Sequence, residues 1–338
     1  MTPGTTEVGD AGSVRYRPAR DEDLDACTLI WKAGIEGYQA RLNQPPMPDD
    51  LGPLRRLFSH ALSTDPGRFW VAVDASDVDA PFGFCSATVR GDLWFLGMLF
   101  VQPGRQATGI GSALLDRALL GAEPDAAGDV PGPGLPVRDG VMRWGMCTDS
   151  MQPISNALYA RRGMAPRIPA WRLYGDVRRP AALPMLPASL EAVTFESVAE
   201  GDPAGHRRLA EAVNAVDRAV LGYEHGVDHA FLRRDGRIGV LVRGRNGEPV
   251  GYAYGSGSGR MGPFAALDPD LLPSIVGTTI RDLRLTGPVA AWVPGSLGGL
   301  TQALLAAGLR FDGFPGLVCW SDGPHPFERY APISLALV

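Results

Sequence analysis

The chain has 338 residues, 45% of them apolar, with 32 Lys and Arg against 37 Asp and Glu for a formal net charge of −5. That length suits two cores of ordinary size better than one large core, and the acidic balance leaves no basic surplus to follow a phosphodiester backbone, which argues against nucleic acid as a partner. The longest continuous apolar run, "LWFLGMLFV" (93–101), is half of what a bilayer demands, and the opening residues lack the charged and apolar regions of a signal peptide, so a cytoplasmic chain with no membrane partner is expected.

Residues 1–12 read as a disordered tail. The stretch 14–42, "VRYRPARDEDLDACTLIWKAGIEGYQARL", predicts a short strand, an acidic helix start at Asp21 to Asp23, and a helix with Leu24, Leu29, Ile30 and Ala33 on one side. A second helix is expected from about Leu51 to Leu62, followed by strands in "GRFWVAVD" and "PFGFCSATVR" with the turn-rich "ASDVDA" between them. "DLWFLGMLFV" then has the unbroken apolar character of a strand buried on both faces, which places it centrally. After a glycine turn come a helix from Gly109 to Leu120, a surface loop in "GAEPDAAGDVPGPGLPVRDG", a strand in "VMRWGMCT", a helix from Ile154 to Arg161 and a strand in "AWRLYGD". "VRRPAALPMLPA" reads as a linker.

Beyond the linker the order repeats: strand "EAVTFES", helices between His206 and Leu232, strands "GRIGVLVRG", "EPVGYAYG" and "GRMGPFAAL", strand "GPVAAWVPG", helix "LGGLTQALLAAGLRF" and strand "GLVCWSD". The repeat implies an internal duplication with a period of about half the chain. Its clearest internal match sets "ISNALYARRGM" against "LTQALLAAGLR", aligning Gly163 with Gly308 and therefore Tyr159 with Leu304.

The glycine turn at 104–111 exposes backbone N–H groups at a helix start, a ready-made cradle for an anion. A Walker loop fails there, because Ile110 and Gly111 stand where Lys and Ser or Thr are required. A dinucleotide fingerprint fails too, because Leu114 takes the third glycine's place. What remains is Val101-x-Pro103 followed by Gln106-x-x-Gly109-x-Gly111, after an apolar strand and before a helix. This resembles the pyrophosphate loop of the GNAT superfamily of acyl-CoA-dependent N-acetyltransferases, and Leu158, Tyr159, Gly163 and Met164 resemble that family's helix ending. The resemblance implies an α/β (α+β) fold of two tandem GNAT-like domains, each a central mixed twisted sheet flanked by helices. A catalytic domain would span 13–176, a linker 177–189 and a degenerate GNAT-like domain 190–338, the chain being a monomer or homodimer.

It further implies transfer of an acetyl group from acetyl-CoA to a primary amine of a small-molecule acceptor. On that reading the backbone of Gln106, Ala107, Thr108, Gly109, Ile110, Gly111, Ser112 and Ala113 holds the pyrophosphate, with Asn156 as a further contact. A backbone N–H among Leu99, Phe100 and Val101, where the central strand splays from its neighbour, polarises the acyl carbonyl. Tyr159 supplies a proton to the departing thiolate, whose conjugate thiol titrates near the ordinary cysteine value of about 8.5. The central strand has no carboxylate after Asp92, so the base stays open among Asp92, Asp149, His60, the terminal carboxylate of Val338, or no base at all. Trp31, Glu36, Tyr38 and Trp94 are candidate acceptor-lining residues. Where the family often carries Asn seven residues before the tyrosine, this chain has Gln152.

The second half has neither the glycine pattern nor the tyrosine, since Leu304 takes its position. Because of these losses a noncatalytic acyl-CoA sensor or interaction module stands as the alternative. His225 and His229 in "EHGVDH" are read as solvated, and no metal is expected; the four cysteines lack CxxC spacing and read as reduced, mostly buried thiols.

Overall fold

Arg17 and Asp23 show how local sequence sets the first turn. The Asp23 carboxylate takes both Arg17 guanidinium nitrogens at 2.7 Å and the Arg20 N–H at 2.7 Å, closing a 3-10 turn over Asp21–Asp23 ahead of the first helix. The structure is a computed structural model describing residues 14–42, 44, 47–121, 143–321 and 325–338. The tail expected at 1–12 lies outside the described residues, as does the surface-loop expectation over 122–140. The described chain divides into two compact units, one of residues 14–88 and 98–121, the other of residues 89–97 and 143–338.

In the first unit β1 (Val14–Pro18) pairs antiparallel with β2 (Phe69–Asp74), which pairs antiparallel with β3 (Asp77–Arg90). Helices α1 (Leu24–Gln39) and α2 (Gly52–Thr64) cover one face, where Leu24, Cys27, Ile30 and Phe58 pack with Phe69, Val71, Val73 and Phe84. The alternation of β2 puts Ala72 on the other face. There it pairs with Gly83, whose missing Cβ would lie 3.4 Å from Leu114 of α3 (Ile110–Leu120). The buried side of α1 differs from its sequence expectation. Leu29 is 61% exposed and Ala33 is also exposed, because the spacing Leu24, Cys27, Ile30 captures the core and leaves Leu29 a quarter-turn or more away from it.

The strand β4 (Leu93–Val101) enters the second unit through its first half. Leu93 to Leu96 are buried and pair in parallel with β5 (Arg143–Asp149), while Met98 to Phe100 are only half-buried, so burial on both faces stops partway along the strand. After α4 (Pro153–Ala160) comes β6 (Ala165–Gly175). The second half then supplies β7 (Leu190–Thr194), α5 (Phe195–Ala199), α6 (Pro203–Val220), α7 (Gly226–Arg234), β8 (Ile238–Gly244), β9 (Pro249–Gly255), β10 (Arg260–Ala266), α8 (Leu272–Asp282), β11 (Val289–Pro294) and α9 (Gly298–Ala307). Short β12 (Arg310–Phe311), β13 (Gly316–Trp320) and β14 (Tyr330–Ala331) close the chain.

Their order in the sheet is β4-β5-β13-β6-β11-β10-β9-β8-β7. The final long strand of each half is therefore traded. β13 lies between β5 and β6, antiparallel to both, and β6 pairs antiparallel with β11 from Val289–Gly175 to Pro294–Ala170. Trp320 faces Gly145 across the β5–β13 ladder, where a Cβ on residue 145 would come within 2.4 Å of the indole. Glycine there is a packing requirement. On one sheet face α8 and α9 bury Ile275, Val276, Leu300 and Leu304 against Val240, Val242, Ala253, Phe264 and Val293. Leu183, inside the stretch read as a linker, is buried in the same cluster.

Candidate functional site

The glycine turn keeps its anion-cradle geometry. Gly104, Ala107 and Gly109 have φ of +91°, +63° and +88°, and no atom lies within 4 Å of a Cβ built on either glycine. The two glycines are thus required by backbone conformation rather than by crowding. Ala107 holds the same left-handed region at a strain cost of roughly 1–2 kcal/mol, a kind of outlier that collects at ligand clamps. The segment from Gln102 to Gly109 is exposed apart from half-buried Arg105. The first bond of the α3 ladder runs from Ala113 N–H to Gly109 O at 3.0 Å, so the N–H groups of Ile110 and Gly111 precede it and have no acceptor inside the helix.

Gly111 is the informative position. Its φ is not left-handed, and a Cβ there would meet only Val101 Cγ2 at 3.9 Å, an ordinary contact. The fold has no use for a glycine at this helical position, where alanine is better by about 0.8–1 kcal/mol. The turn is braced from within. Gln106 Nε2 donates to Val101 O at 2.9 Å, Thr108 Oγ1 donates to Arg105 O at 2.8 Å, and Arg105 makes a two-pronged ion pair with Asp74 at 2.8 Å while lying 4.1 Å over the Phe82 ring. The hydrogen bond from Arg105 holds the Asp74 carboxyl below the usual carboxylate range. No spacing rule in the sequence links Arg105 to Asp74, 31 residues away. Gln106, assigned to the ligand, spends its side-chain N–H donor on the loop itself.

The far half of α1 runs beside this turn. A Cβ on Gly34 would sit 2.9 Å from the Phe100 ring, and one on Gly37 would sit 4.0 Å from Pro103. Trp31 is half-buried with its ring edge-on to Phe100 at 6.5 Å, so it packs in the core flank. Glu36 is half-buried, 3.9 Å from Lys32, and Tyr38 is half-buried near the helix end. His60 is buried on α2.

In the second unit Tyr159 is buried at 4% exposure on α4, and its carbonyl accepts Met164 N–H at 3.1 Å while Ala160 O accepts Gly163 N–H at 3.1 Å. Leu304 repeats this arrangement: Leu309 N–H donates to Leu304 O and Gly308 N–H to Leu305 O, both at 3.1 Å. Gly163 and Gly308 are both left-handed, so these two bonds and the glycine agree with the alignment of Tyr159 with Leu304. Asn156 gives its two amide hydrogens to Asp149 O and Gln152 O at 3.0 and 2.8 Å, and its Oδ1 is buried without a partner among the described residues. Asp149 is half-buried at the end of β5. Asp92 is engaged by the Arg143 guanidinium, Nε at 3.0 Å from Oδ2, a contact any base function would have to displace. Trp94 is 2% exposed on β4, and Val338 is buried at the end of the chain.

The matching region of the second half is occupied by its own chain. The parallel ladder of β4 with β5 ends at Leu96–Met146, and that of β10 with β11 ends at Met261–Ala291. Counting three residues onward, Phe264, Ala265 and Ala266 hold the positions of Leu99, Phe100 and Val101. There β14 pairs with β10, Phe264 against Ala331 and Ala265 against Tyr330, and Ala266 N–H donates to Arg329 O at 3.1 Å.

The expected solvation of His225 and His229 is overturned: they are 2% and 5% exposed. Asp217 on α6 and the Tyr254 hydroxyl on β9 give His229 its partners, and His225 turns inward beside them; the alternation Tyr-x-Tyr on a strand was the only sequence signal of a polar patch beneath the helices. Burial pushes His225 down to about 4, leaving the imidazole neutral at ordinary pH. The cysteines are free thiols. Burial pushes all four up, Cys319 to about 12, so none is a thiolate near neutrality. Among the described residues, no helix is long and apolar enough to cross a membrane.

Residues 65–163 match the family described as the acetyltransferase (GNAT) domain. No curated protein sequence matches the chain. Among solved structures, a candidate acetyltransferase from Pyrococcus horikoshii is similar with a TM-score of 0.68 at 15% identity, covering 100% of both chains. A GCN5-related N-acetyltransferase from Sphaerobacter thermophilus gives 0.57 at 16% identity, over 96% of this chain and 98% of that one. A tandem GNAT protein from the clavulanic acid biosynthesis pathway gives 0.55 at 14% identity, over 92% and 99%. The fold is the one seen in these GNAT structures, and the stretch from residue 65 to residue 163 matches the acetyltransferase (GNAT) domain.

Proposed function

We propose that the chain moves an acetyl group from acetyl-CoA to a primary amine on a small molecule, using the N-terminal half. The observation that carries this reading is Gly111: a helical glycine without steric reason, at the head of a helix whose leading N–H groups have no acceptor inside it, marks close approach of an anion to backbone. The GNAT match over the same residues supports reading that anion as the pyrophosphate of a coenzyme A thioester. The backbone of Gln106 to Ala113 is its cradle, and a backbone N–H among Leu99, Phe100 and Val101 polarises the acyl carbonyl.

In the reaction the amine lone pair forms the C–N bond at the thioester carbon, the carbonyl oxygen gathers charge, and the C–S bond breaks as the carbonyl reforms. The thiolate takes a proton from the Tyr159 hydroxyl, and the proton lost by the nitrogen passes to solvent or a carboxylate and restores the phenol. Direct attack is favoured over a cysteine-bound intermediate because all four thiols are held protonated by burial. The second half is assigned a scaffold role, its matching backbone being paired with β14 and its tyrosine position filled by buried Leu304.

Free-thiol release from acetyl-CoA in the presence of a panel of primary amines tests the reading. Amine-dependent release that Tyr159→Phe suppresses supports it. A noncatalytic acyl-CoA sensor is the second reading, favoured by a β4 without carboxylates and by the Asp92–Arg143 pair. Tight coenzyme binding with no turnover on any amine would select it.

A further inference from the structure

Under α6 and α7 lies a polar group that the acyl-transfer reading does not use. Asp217 is 0% exposed; its Oδ1 accepts the Tyr252 hydroxyl at 2.8 Å and its Oδ2 lies 2.9 Å from His229 Nε2. His229 Nδ1 is 2.8 Å from the Tyr254 hydroxyl, which fixes the ring and turns Nε2 toward the carboxylate. A satisfied structural network would end there. His225 breaks the pattern. It is 2% exposed, its Nε2 stands 3.6 Å from Asp217 Oδ2 and 3.5 Å from the Tyr252 hydroxyl, and its Nδ1 has no partner among the described residues. A buried imidazole with one nitrogen unbonded and the other at the outer limit of hydrogen bonding is costly, by about 1–3 kcal/mol per unmet group.

A cation bound at Nε2 removes the part of that cost that Nε2 carries. One donor atom from each of Asp217, His225 and His229 falls within 4.8 Å of the others. Around a cation with bonds of about 2.0–2.1 Å, tetrahedral donors stand roughly 3.4 Å apart, and the observed separations of 2.9 and 3.6 Å bracket that value. Two imidazoles and one carboxylate exclude the all-oxygen shells of calcium and magnesium and suit the zinc class of divalent ions. The Tyr252 and Tyr254 hydroxyls hold the carboxylate and the His229 ring from outside, as outer partners of metal ligands do. We propose that Asp217, His225 and His229 form a structural site for one zinc-class divalent cation, clamping α6 to α7.

The test uses the full chain without an affinity tag, stripped with chelator and titrated with Co²⁺ and then Zn²⁺. The expected result is visible d–d absorption of tetrahedral intensity saturating at one Co²⁺ per chain, displaced by Zn²⁺, with a Zn²⁺-dependent rise in Tm. His225→Ala should weaken Zn²⁺ binding roughly 100-fold or more, beyond what loss of an outer partner costs. His206→Ala, at an exposed histidine of α6, should leave it unchanged. Tyr254→Phe, which keeps all three ligands, should weaken it by about 10-fold. Absence of the cobalt bands in the wild-type chain overturns the site, and so does stoichiometric binding that survives His225→Ala.

Discussion

Gly111→Ala puts stability and coenzyme binding in opposition. On the fold side the new methyl has one neighbour within 4 Å, Val101 Cγ2 at 3.9 Å, so nothing must move. Replacing glycine in the first turn of α3 then stabilises the helix by up to about 1 kcal/mol, worth roughly 2–4 °C in Tm for a domain of ordinary size. On the proposed reading a diphosphate oxygen comes within hydrogen-bonding reach of the backbone here and the methyl keeps it out, and loss of one bond to a charged group costs about 1.5–3 kcal/mol. The expected outcome is therefore a slightly higher Tm together with a Kd for coenzyme A weakened roughly 10- to 150-fold. Calorimetric titration with coenzyme A, run beside pantetheine, which lacks the diphosphate, isolates the effect, because the pantetheine affinity should not change. A variant that is more stable yet binds coenzyme A as tightly as the wild type would refute the cradle.

Tyr159→Phe should lower kcat by roughly 10²-fold or more with the coenzyme Kd nearly intact, read by thiol release and titration in parallel. Asp228→Asn should cost about 3–5 kcal/mol in urea denaturation, because Asp228 and Arg90 form a buried two-pronged pair at 2.7 and 2.8 Å and the substitution removes the negative charge from that pair. In chelator, stability should fall as pH drops from about 6.5 to about 4. His225 takes a proton in the unfolded chain through that window and refuses it in the folded one, a difference on the order of 3 kcal/mol that His225→Gln should remove. Burial opposes ionisation of Asp217, but His225, His229 and Tyr252 outweigh it and hold the carboxyl below its ordinary range, so its contribution is lost only at the acid end. Expression of residues 1–189 alone should give aggregated protein, because β5 and β6 both lose the strand between them.

The features that sequence exposed best were those with a local cause. Positive φ at Gly104 and Gly109, the left-handed ends at Gly163 and Gly308, and the apolar strands each follow from a few adjacent residues. Burial along α1 was only partly visible, because Leu29 and Ile30 are equally apolar and only tertiary packing chooses between them. The Arg105–Asp74 brace and the Asp217–His225–His229 group join residues on different elements, and no periodicity encodes such a meeting. The traded strands were invisible for the same reason: "AWRLYGD" and "GLVCWSD" each read correctly as a strand, but a strand's own residues do not say whose edge it will join.

That trade binds the fate of the two copies together. A duplicated module that keeps both of its own edges can be deleted once its chemistry decays, leaving the other intact. Here the copy without a cradle lends β13 to the sheet that carries Tyr159's helix and borrows β6 in return. On the proposed reading the second half is free to lose catalytic groups and repack its interior, while the exchanged strand keeps it indispensable to the sheet of the first.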